Sequence, residues 1–400
     1  MISGLMNPLQ ITDYTLLTAM GSGIEENWQS LCTGKSGLEP CNFFDISDLK
    51  TWVGEIKGLD ESSLGDRFSE FDCRNNRLAM LGLEQDGFIE SVRQAISQYG
   101  RHRIGVFIGT STSGMHQTEQ AYLACNNNFT NLPAWYRYET TQNIYSIAEF
   151  VRAYTASEGP SVAISTACSS SAKVFATAYR AIYSGLCDAA IVGGVDTLCL
   201  TTLYGFHSLQ LLSENQCRPS DVTRNGISIG EAAGFALLQR ARDSGGLALL
   251  GYGESSDAYH MSTPHPGGEG AVLAMQSALR TAKLSAEQID YINLHGTATI
   301  ANDLSEALAV ERIFGHSIPC SSTKAWTGHT LGAAGIVEVI ISLLCLQHGF
   351  MPRSLNTRQI DPDIRINILM ENRLQAVNAV LSNSFGFGGS NASLILGRIQ

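Results

Sequence analysis

The chain has 400 residues, 44% of them apolar and only 16% charged, with 39 glycines. That length exceeds one ordinary core and implies two domains or a duplicated unit, while the composition excludes a disordered or coiled chain. A formal net charge of −11 argues against nucleic acid or an anionic membrane as the main partner.

Leu9 to Tyr14 reads as a short strand, and a helix carrying Trp28 and Leu31 follows from about Gly23 to Thr33. Residues 36–75 are polar with scattered aromatics and read as loop. Leu78, Leu81, Leu83, Phe88, Val92 and Ile96 keep helical spacing and predict one helix from Arg77 to Tyr99. Ile104 to Ile108 is a buried strand that runs into the small-residue turn Gly109–Gly114, where backbone can approach a ligand. Residues 119–140 hold Tyr122, Phe129, Trp135, Tyr136 and Tyr138 and read as a packed connection. A helix from Ile144 to Tyr154 leads to the strand Ser161–Ile164. Cys168 then stands at a strand-to-helix turn before the helix Ala172–Ile182. Ala189 to Val195 is another buried strand, residues 200–230 are loop-rich, and Ala232 to Gln239 is a strand.

The second half repeats the alternation. It has strands at Leu247–Tyr252, Ile289–Leu294 and Pro319–Ser322, and helices at Gly270–Lys283, Asp303–Phe314 and Gly332–His348. Val377–Ser384 and Ala392–Leu396 close as paired strands around a glycine-rich turn. Two halves that each alternate strands and helices predict a layered α/β architecture, with ligands at the carboxyl ends of the strands.

Ten cysteines are scattered without any C-x-x-C spacing. A zinc site is therefore not expected, and reduced cytosolic thiols are the better reading. The beginning of the chain lacks a signal-peptide pattern, and its apolar runs are interrupted before bilayer length, so a soluble cytoplasmic protein is expected.

Four short stretches place capable side chains at strand ends or helix starts. Cys168, near the first turn of a buried helix, is a nucleophile whose thiolate the free N–H groups and macrodipole would stabilise. The second stretch is His295-Gly296-Thr297-Ala298-Thr299, followed by Asp303 and Glu306. The third runs from Ser321 through Lys324 and His329 to Gly335, with Glu338 beyond it in an apolar helix. The fourth is Asn383-Ser384-Phe385-Gly386-Phe387-Gly388-Gly389-Ser390-Asn391. Singly, each has a bland explanation: a core cysteine, a structural histidine, a solvated or internally paired lysine, a hairpin turn.

Together, in this order, they resemble the β-ketoacyl-acyl-carrier-protein synthases, and the elongating Cys-His-His members most. The resemblance runs from Met20-Gly21-Ser22-Gly23 to Ser390–Leu396. It includes Ser256–Met261, Arg224-Asn225-Gly226 and Gly230-Glu231-Ala232-Ala233-Gly234. It implies an α/β, thiolase-like five-layered α-β-α-β-α fold from two similar halves, 1–243 with the nucleophile and 244–400 with both histidines and the lysine. It implies decarboxylative condensation of an acyl thioester held on Cys168 with malonyl-carrier protein. An oxyanion hole would come from the N–H groups of Cys168 and Phe387, and neutral His295 and His329 would stabilise the enolate. Lys324 would orient the site with Glu338, Thr297 and Thr299 would bond the phosphopantetheine arm, and Phe387 would gate the acyl pocket. Thr112 falls where the family often has a bulky residue bordering that pocket, and a smaller polar residue there suits a longer or less aliphatic chain.

No cofactor is expected beyond the pantetheine arriving on the acyl carrier protein, and no metal. The partners implied are that acidic carrier and a second subunit, in a homodimer or in a heterodimer with a chain-length-factor-like ketosynthase. Arg218, Arg224, Lys57, Arg74 and Arg77 are the candidate docking cations. The opening shows Ile11-Thr12-Asp13-Tyr14 instead of the usual Val-Thr-Gly, and Asn225 stands where the family generally has Asp. Both hint at a branch serving a specialised product such as an aryl polyene or polyketide. A non-catalytic chain-length subunit would lack the full Cys-His-Lys-His set, and a thiolase would need a second catalytic cysteine near its end. An unrelated Cys-His hydrolase would lack the Lys324 and twin-threonine stretches.

Overall fold

The computed structural model describes residues 6–43, 49–125, 131–241 and 244–399. The first half runs β1 (Leu9–Thr18), α1 (Arg74–Leu83), α2 (Phe88–Tyr99), β2 (Ile104–Gly109), α3 (Ser146–Thr155), β3 (Ser161–Ile164), α4 (Ser170–Tyr183), β4 (Ala189–Asp196), α5 (Leu200–Ser208) and β5 (Ala232–Arg240). The second runs β6 (Leu247–Ser256), α6 (Glu269–Ala282), β7 (Tyr291–Asn293), α7 (Ile300–Phe314), β8 (Pro319–Ser321), α8 (Ala334–His348), β9 (Ala379–Gly386) and β10 (Ser390–Arg398).

The first five strands lie in the order β1-β5-β4-β2-β3 and the second five in the order β6-β10-β9-β7-β8. The pairing signs also match, antiparallel twice and then parallel twice, along each path. Each strand thus has its counterpart five places on, and the duplication expected from the alternation is a repeated topology. The two sheets meet at one short antiparallel seam, Leu9 with Leu249 and Gln10 with Ala248.

Three apolar layers hold the stack. Alternate residues of β2 point to opposite faces, so Val106 and Ile108 pack outward with Leu78, Phe88 and Phe150 of α1, α2 and α3. Phe107 points inward with Phe175 of α4 and Ile336 and Ile340 of α8. On the far side Val272, Met275 and Val310 of α6 and α7 cover Ile292 and Leu381. The layers therefore read helices, sheet, the α4–α8 pair, sheet, helices. The apolar stretch 331–348 is long enough for a membrane span, but 89% of it is buried inside this fold. It is apolar all round because both sheets pack on it. Gly335 lets α4 and α8 approach closely, since a Cβ there would sit 2.5 Å from the Ala172 nitrogen.

The structure corrects several sequence expectations. The helix expected over 77–99 is two helices, broken where Asp86 (φ +56°) and Gly87 (φ +72°) turn left-handed. Asp86 is held there by the Thr15 hydroxyl and the Ile24 N–H. The loop-rich segment 200–230 contains α5, and the 36–75 loop supplies Glu39–Pro40 and Trp52–Gly54 to a small sheet with Ile229–Gly230. Tyr122, Trp135 and Tyr138 are exposed rather than packed, and only Tyr136 is half-buried, bonded to Thr118. Phe129 and residue 243, at the expected boundary between the halves, lie outside the described residues.

Candidate active site

Cys168 follows β3 at a tight turn. Ala167 before it has φ +53°, a left-handed conformation that a non-glycine residue adopts at a cost of roughly 1–2 kcal/mol. Serine side chains lock that turn. Ser170 Oγ accepts from Thr166 N at 2.9 Å and donates to the Ala167 carbonyl, and Ser169 Oγ donates to the Thr166 carbonyl at 2.9 Å. The end of β9 packs directly on it, since a Cβ on Gly386 would lie 2.6 Å from the Thr166 oxygen. This contact brings the Phe387 N–H into a hydrogen bond with the Cys168 sulfur.

The helix start was expected to favour the thiolate. Burial instead pushes the Cys168 thiol up to about 11, and Lys324 and the Phe387 N–H pull it only part of the way back. Cys168 is 5% exposed, and removing an anion from water outweighs the dipole. At neutral pH Cys168 is a thiol.

His295 follows β7. The Glu306 carboxylate on α7 accepts both His295 N and Gly296 N at 2.8 Å and fixes that turn. Burial pushes Glu306 up to about 7 against those donors. His329 lies between Lys324 and α8, its N–H on the Ser228 carbonyl at 2.7 Å. The two rings stand edge to face, 5.5 Å apart at 86°.

The electrostatics choose the tautomers. Lys324 Nζ lies 3.3 Å from His295 Nδ1 and is also hydrogen-bonded to Glu338, whose other oxygen accepts from Ser384 at 3.2 Å. Leu331 N–H donates to His329 Nδ1 at 3.1 Å. With Nδ1 of each ring facing a donor, Nε2 carries the hydrogen and is left for the cavity. Burial and the Lys324 charge hold both imidazoles well below the usual histidine range, so they are neutral donors at pH 7.

The sulfur and one nitrogen from each ring lie within 4.8 Å of one another. Cys-His-His is also a zinc-binding composition, but a metal needs lone pairs where these rings present hydrogens. The arrangement suits a developing oxyanion instead.

All three residues line one cavity of about 310 Å³, with Thr297, Thr299 and Phe387. The two threonine hydroxyls bond each other at 2.9 Å. Phe387 is half-buried with its ring 5.5 Å from Phe206, and Gly388 and Gly389 after it have φ +81° and +71°. Asn225, also lining, accepts from Ser213 at 2.6 Å. No local sequence signal marks Phe206 or Glu306: Phe206 lies in a segment whose sequence reads as loop, and Glu306 shows its role only through backbone partners.

Two other assignments change. Thr112 does not line this cavity; its hydroxyl donates to Asp196 at 2.7 Å. Arg74 and Arg224 are not surface cations. Arg74 is 2% exposed and paired with Glu231 at 2.8 Å and Asp60 at 2.6 Å. Arg224 is 4% exposed and reaches Asp361 at 2.6 Å and Asp303 at 3.5 Å. Lys57 is exposed beside Glu55 and Glu39, Arg77 is half-buried on Asp72, and Arg218 is half-buried beside Thr223.

The family models for the β-ketoacyl synthase N-terminal and C-terminal domains match residues 6–244 and 248–358. The chain is 32% identical to the 3-oxoacyl-[acyl-carrier-protein] synthase 2 of Coxiella burnetii, with 97% of this chain and 98% of that protein aligned. It is 34% identical to the protein of the same name from Rhizobium meliloti, over 98% and 99% of the two chains. Among solved structures, a ketosynthase in complex with its chain length factor from Xenorhabdus doucetiae superposes with a TM-score of 0.90 at 39% identity, covering 98% of each chain.

Proposed function

The chain belongs to the β-ketoacyl synthase family, and on that premise we propose how its residues divide the reaction. It is a 3-oxoacyl-acyl-carrier-protein synthase that condenses an acyl thioester with malonyl-carrier protein and releases carbon dioxide. Cys168 attacks the acyl carbonyl, and the tetrahedral oxyanion is held by the N–H groups of Cys168 and Phe387. The carrier thiolate leaves and takes up the proton that the cysteine gave. Malonyl-carrier protein then enters along Thr297 and Thr299, which bond its pantetheine arm. As the carboxylate leaves as carbon dioxide, the C–C electron pair moves onto the thioester oxygen, where Nε2–H of His295 and His329 stabilise the enolate. The enolate carbon attacks the acyl group and the Cys168 thiolate departs. Lys324, balanced by Glu338, keeps both rings neutral. Phe387 gates the acyl pocket, its flanking glycines allowing the swing.

One observation carries this reading: the buried thiol shares a cavity with two imidazoles whose Nδ1 atoms are both occupied. Intact-mass analysis tests it. Offered acyl-carrier thioesters, the protein should gain one acyl group, lost in Cys168→Ala; acylation elsewhere would refute it.

The chain brings no cofactor of its own and works in the cytoplasm on carrier-borne substrates, with Lys57, Arg77 and Arg218 as the remaining docking cations. Its second subunit pairs along β3, the half-buried outermost strand of its sheet, because an unpaired strand edge is a ready partner surface. The 39% identity to a ketosynthase solved with its chain length factor, against 32–34% to the synthase 2 proteins, supports a heterodimer and a specialised aryl-polyene or polyketide product. Light scattering of the protein alone and with a co-expressed chain-length-factor subunit decides between the two assemblies.

A further inference from the structure

Six donors converge on the carboxylate of Asp196, the fully buried last residue of β4. They are the hydroxyls of Thr110 (2.7 Å), Ser111 (2.8 Å) and Thr112 (2.7 Å) and the backbone N–H groups of Ser111 (2.9 Å), Thr112 (2.8 Å) and Gly332 (2.5 Å). All six are neutral, and a buried carboxylate saturated by fixed dipoles cannot turn without stranding several of them. Five come from the turn after β2. The sixth comes from the other half of the chain, three residues beyond His329.

Between His329 and Gly332 stands Leu331, a non-glycine residue at φ +55°. Such a conformation costs about 1–3 kcal/mol and persists only where its surroundings impose it. Here it aims two successive N–H groups in different directions, Leu331 N–H at His329 Nδ1 and Gly332 N–H at Asp196 Oδ2. Gly332 has no slack, since a Cβ there would lie 2.7 Å from Asp196 Oδ2 and 2.8 Å from Ser111 N.

We propose that Asp196 is a positioning residue for His329: it pins the strained turn Thr330–Gly332, so that Leu331 N–H stays on Nδ1 and Nε2–H stays on the cavity side. Asp196 does not line the cavity and touches no substrate. The inference rests on the reading of His329 as a donor to the enolate. It adds a tie from the nucleophile's half of the chain to the imidazole's half.

The test uses the full-length protein carrying Asp196→Asn, whose amide would set N–H against N–H. Three quantities are measured: malonyl-carrier decarboxylation, Cys168 acylation, and the imidazole nitrogen signals of selectively ¹⁵N-histidine-labelled protein. The expected result is a fall in kcat of about 10²-fold, the effect of a misplaced group, with KM and acylation unchanged. The His329 signals should change from a single Nε2–H tautomer to an averaged pair. A folded variant with wild-type kcat and a single tautomer overturns the proposal, and so does equal loss of acylation and decarboxylation. If Asp196→Asn does not fold, Ser111→Ala replaces it, because Ser111 Oγ donates to Asp196 and accepts from Gly332 N. A smaller selective loss of kcat with a shifted His329 signal then supports the assignment, and no change in either overturns it. Were the wild-type protein to show no decarboxylation, the functional reading would fall, and the nitrogen signals alone would still decide the positioning.

Discussion

The backbone N–H of Leu331 reaches Nδ1 of His329 at 3.1 Å, and that one contact decides which nitrogen of the ring looks into the cavity. Lys324 does the same for His295 at 3.3 Å. Replacing either ring with alanine removes one preorganised donor, so malonyl-carrier decarboxylation should fall by about 10²–10³-fold. Acylation of Cys168, followed by intact mass, should survive. A folded His329→Ala or His295→Ala protein that no longer acylates would assign the ring to the first half-reaction instead.

Cys168→Gln should separate the two half-reactions from the other side. The imidazoles and Lys324 stay in place, so carbon dioxide release from malonyl-carrier protein continues while 3-oxoacyl product disappears. Retention of condensation in this variant would remove the sulfur from the mechanism.

The thiol sets a pH dependence. With the group pushed up to about 11, its thiolate fraction grows roughly tenfold per pH unit below that value, and iodoacetamide alkylation of Cys168 should rise accordingly between pH 7 and 9. Lys324→Met removes the main opposing charge and should slow alkylation at every pH in that window. On the acid side, both rings ionise well below the ordinary histidine value, so decarboxylation should hold as pH falls through about 6.5. An alkylation plateau reached near pH 7 would show that the helix start outweighs burial after all.

The two kinds of basic residue predict opposite outcomes. Arg74→Ala strands the Glu231 carboxylate, itself fully buried, and should cost about 3–5 kcal/mol in denaturant unfolding. Lys57→Ala, at an exposed ion pair, should change stability by less than about 1 kcal/mol. If Arg74→Ala unfolds at the wild-type midpoint, the buried Arg74–Glu231 pair contributes nothing to stability.

Gly335→Ala inserts a methyl group into the closest approach of α4 and α8. Overpacking of this kind costs about 1–3 kcal/mol, and the melting temperature should drop with it. An unchanged melting temperature would mean that the two helices can part without loss.

Much of the site was legible in the chain because its chemistry sits at strand ends in compact motifs. Cys168, His295, Lys324 and His329 each announce themselves within a few residues, and the fold brings them together. What stayed hidden acts over long sequence separations. Gly332 donates to Asp196 across 136 residues, and Arg74 finds Glu231 across 157, so neither partnership leaves a local pattern. The break at Asp86–Gly87 was masked because apolar residues keep helical spacing on both sides of it. The helix start before Cys168 was readable, but the burial that reverses its effect on the thiol is set by how distant segments pack around the sulfur, which no local pattern shows.

Because Cys168 is anchored in one repeat and both His295 and His329 in the other, the cavity they share is an interface that has been folded into a single polypeptide. Any slippage of one sheet against the other across the α4–α8 pair would be felt first as a change in the gap between sulfur and imidazole, so the rigidity of that middle layer sets the tolerance of the catalyst.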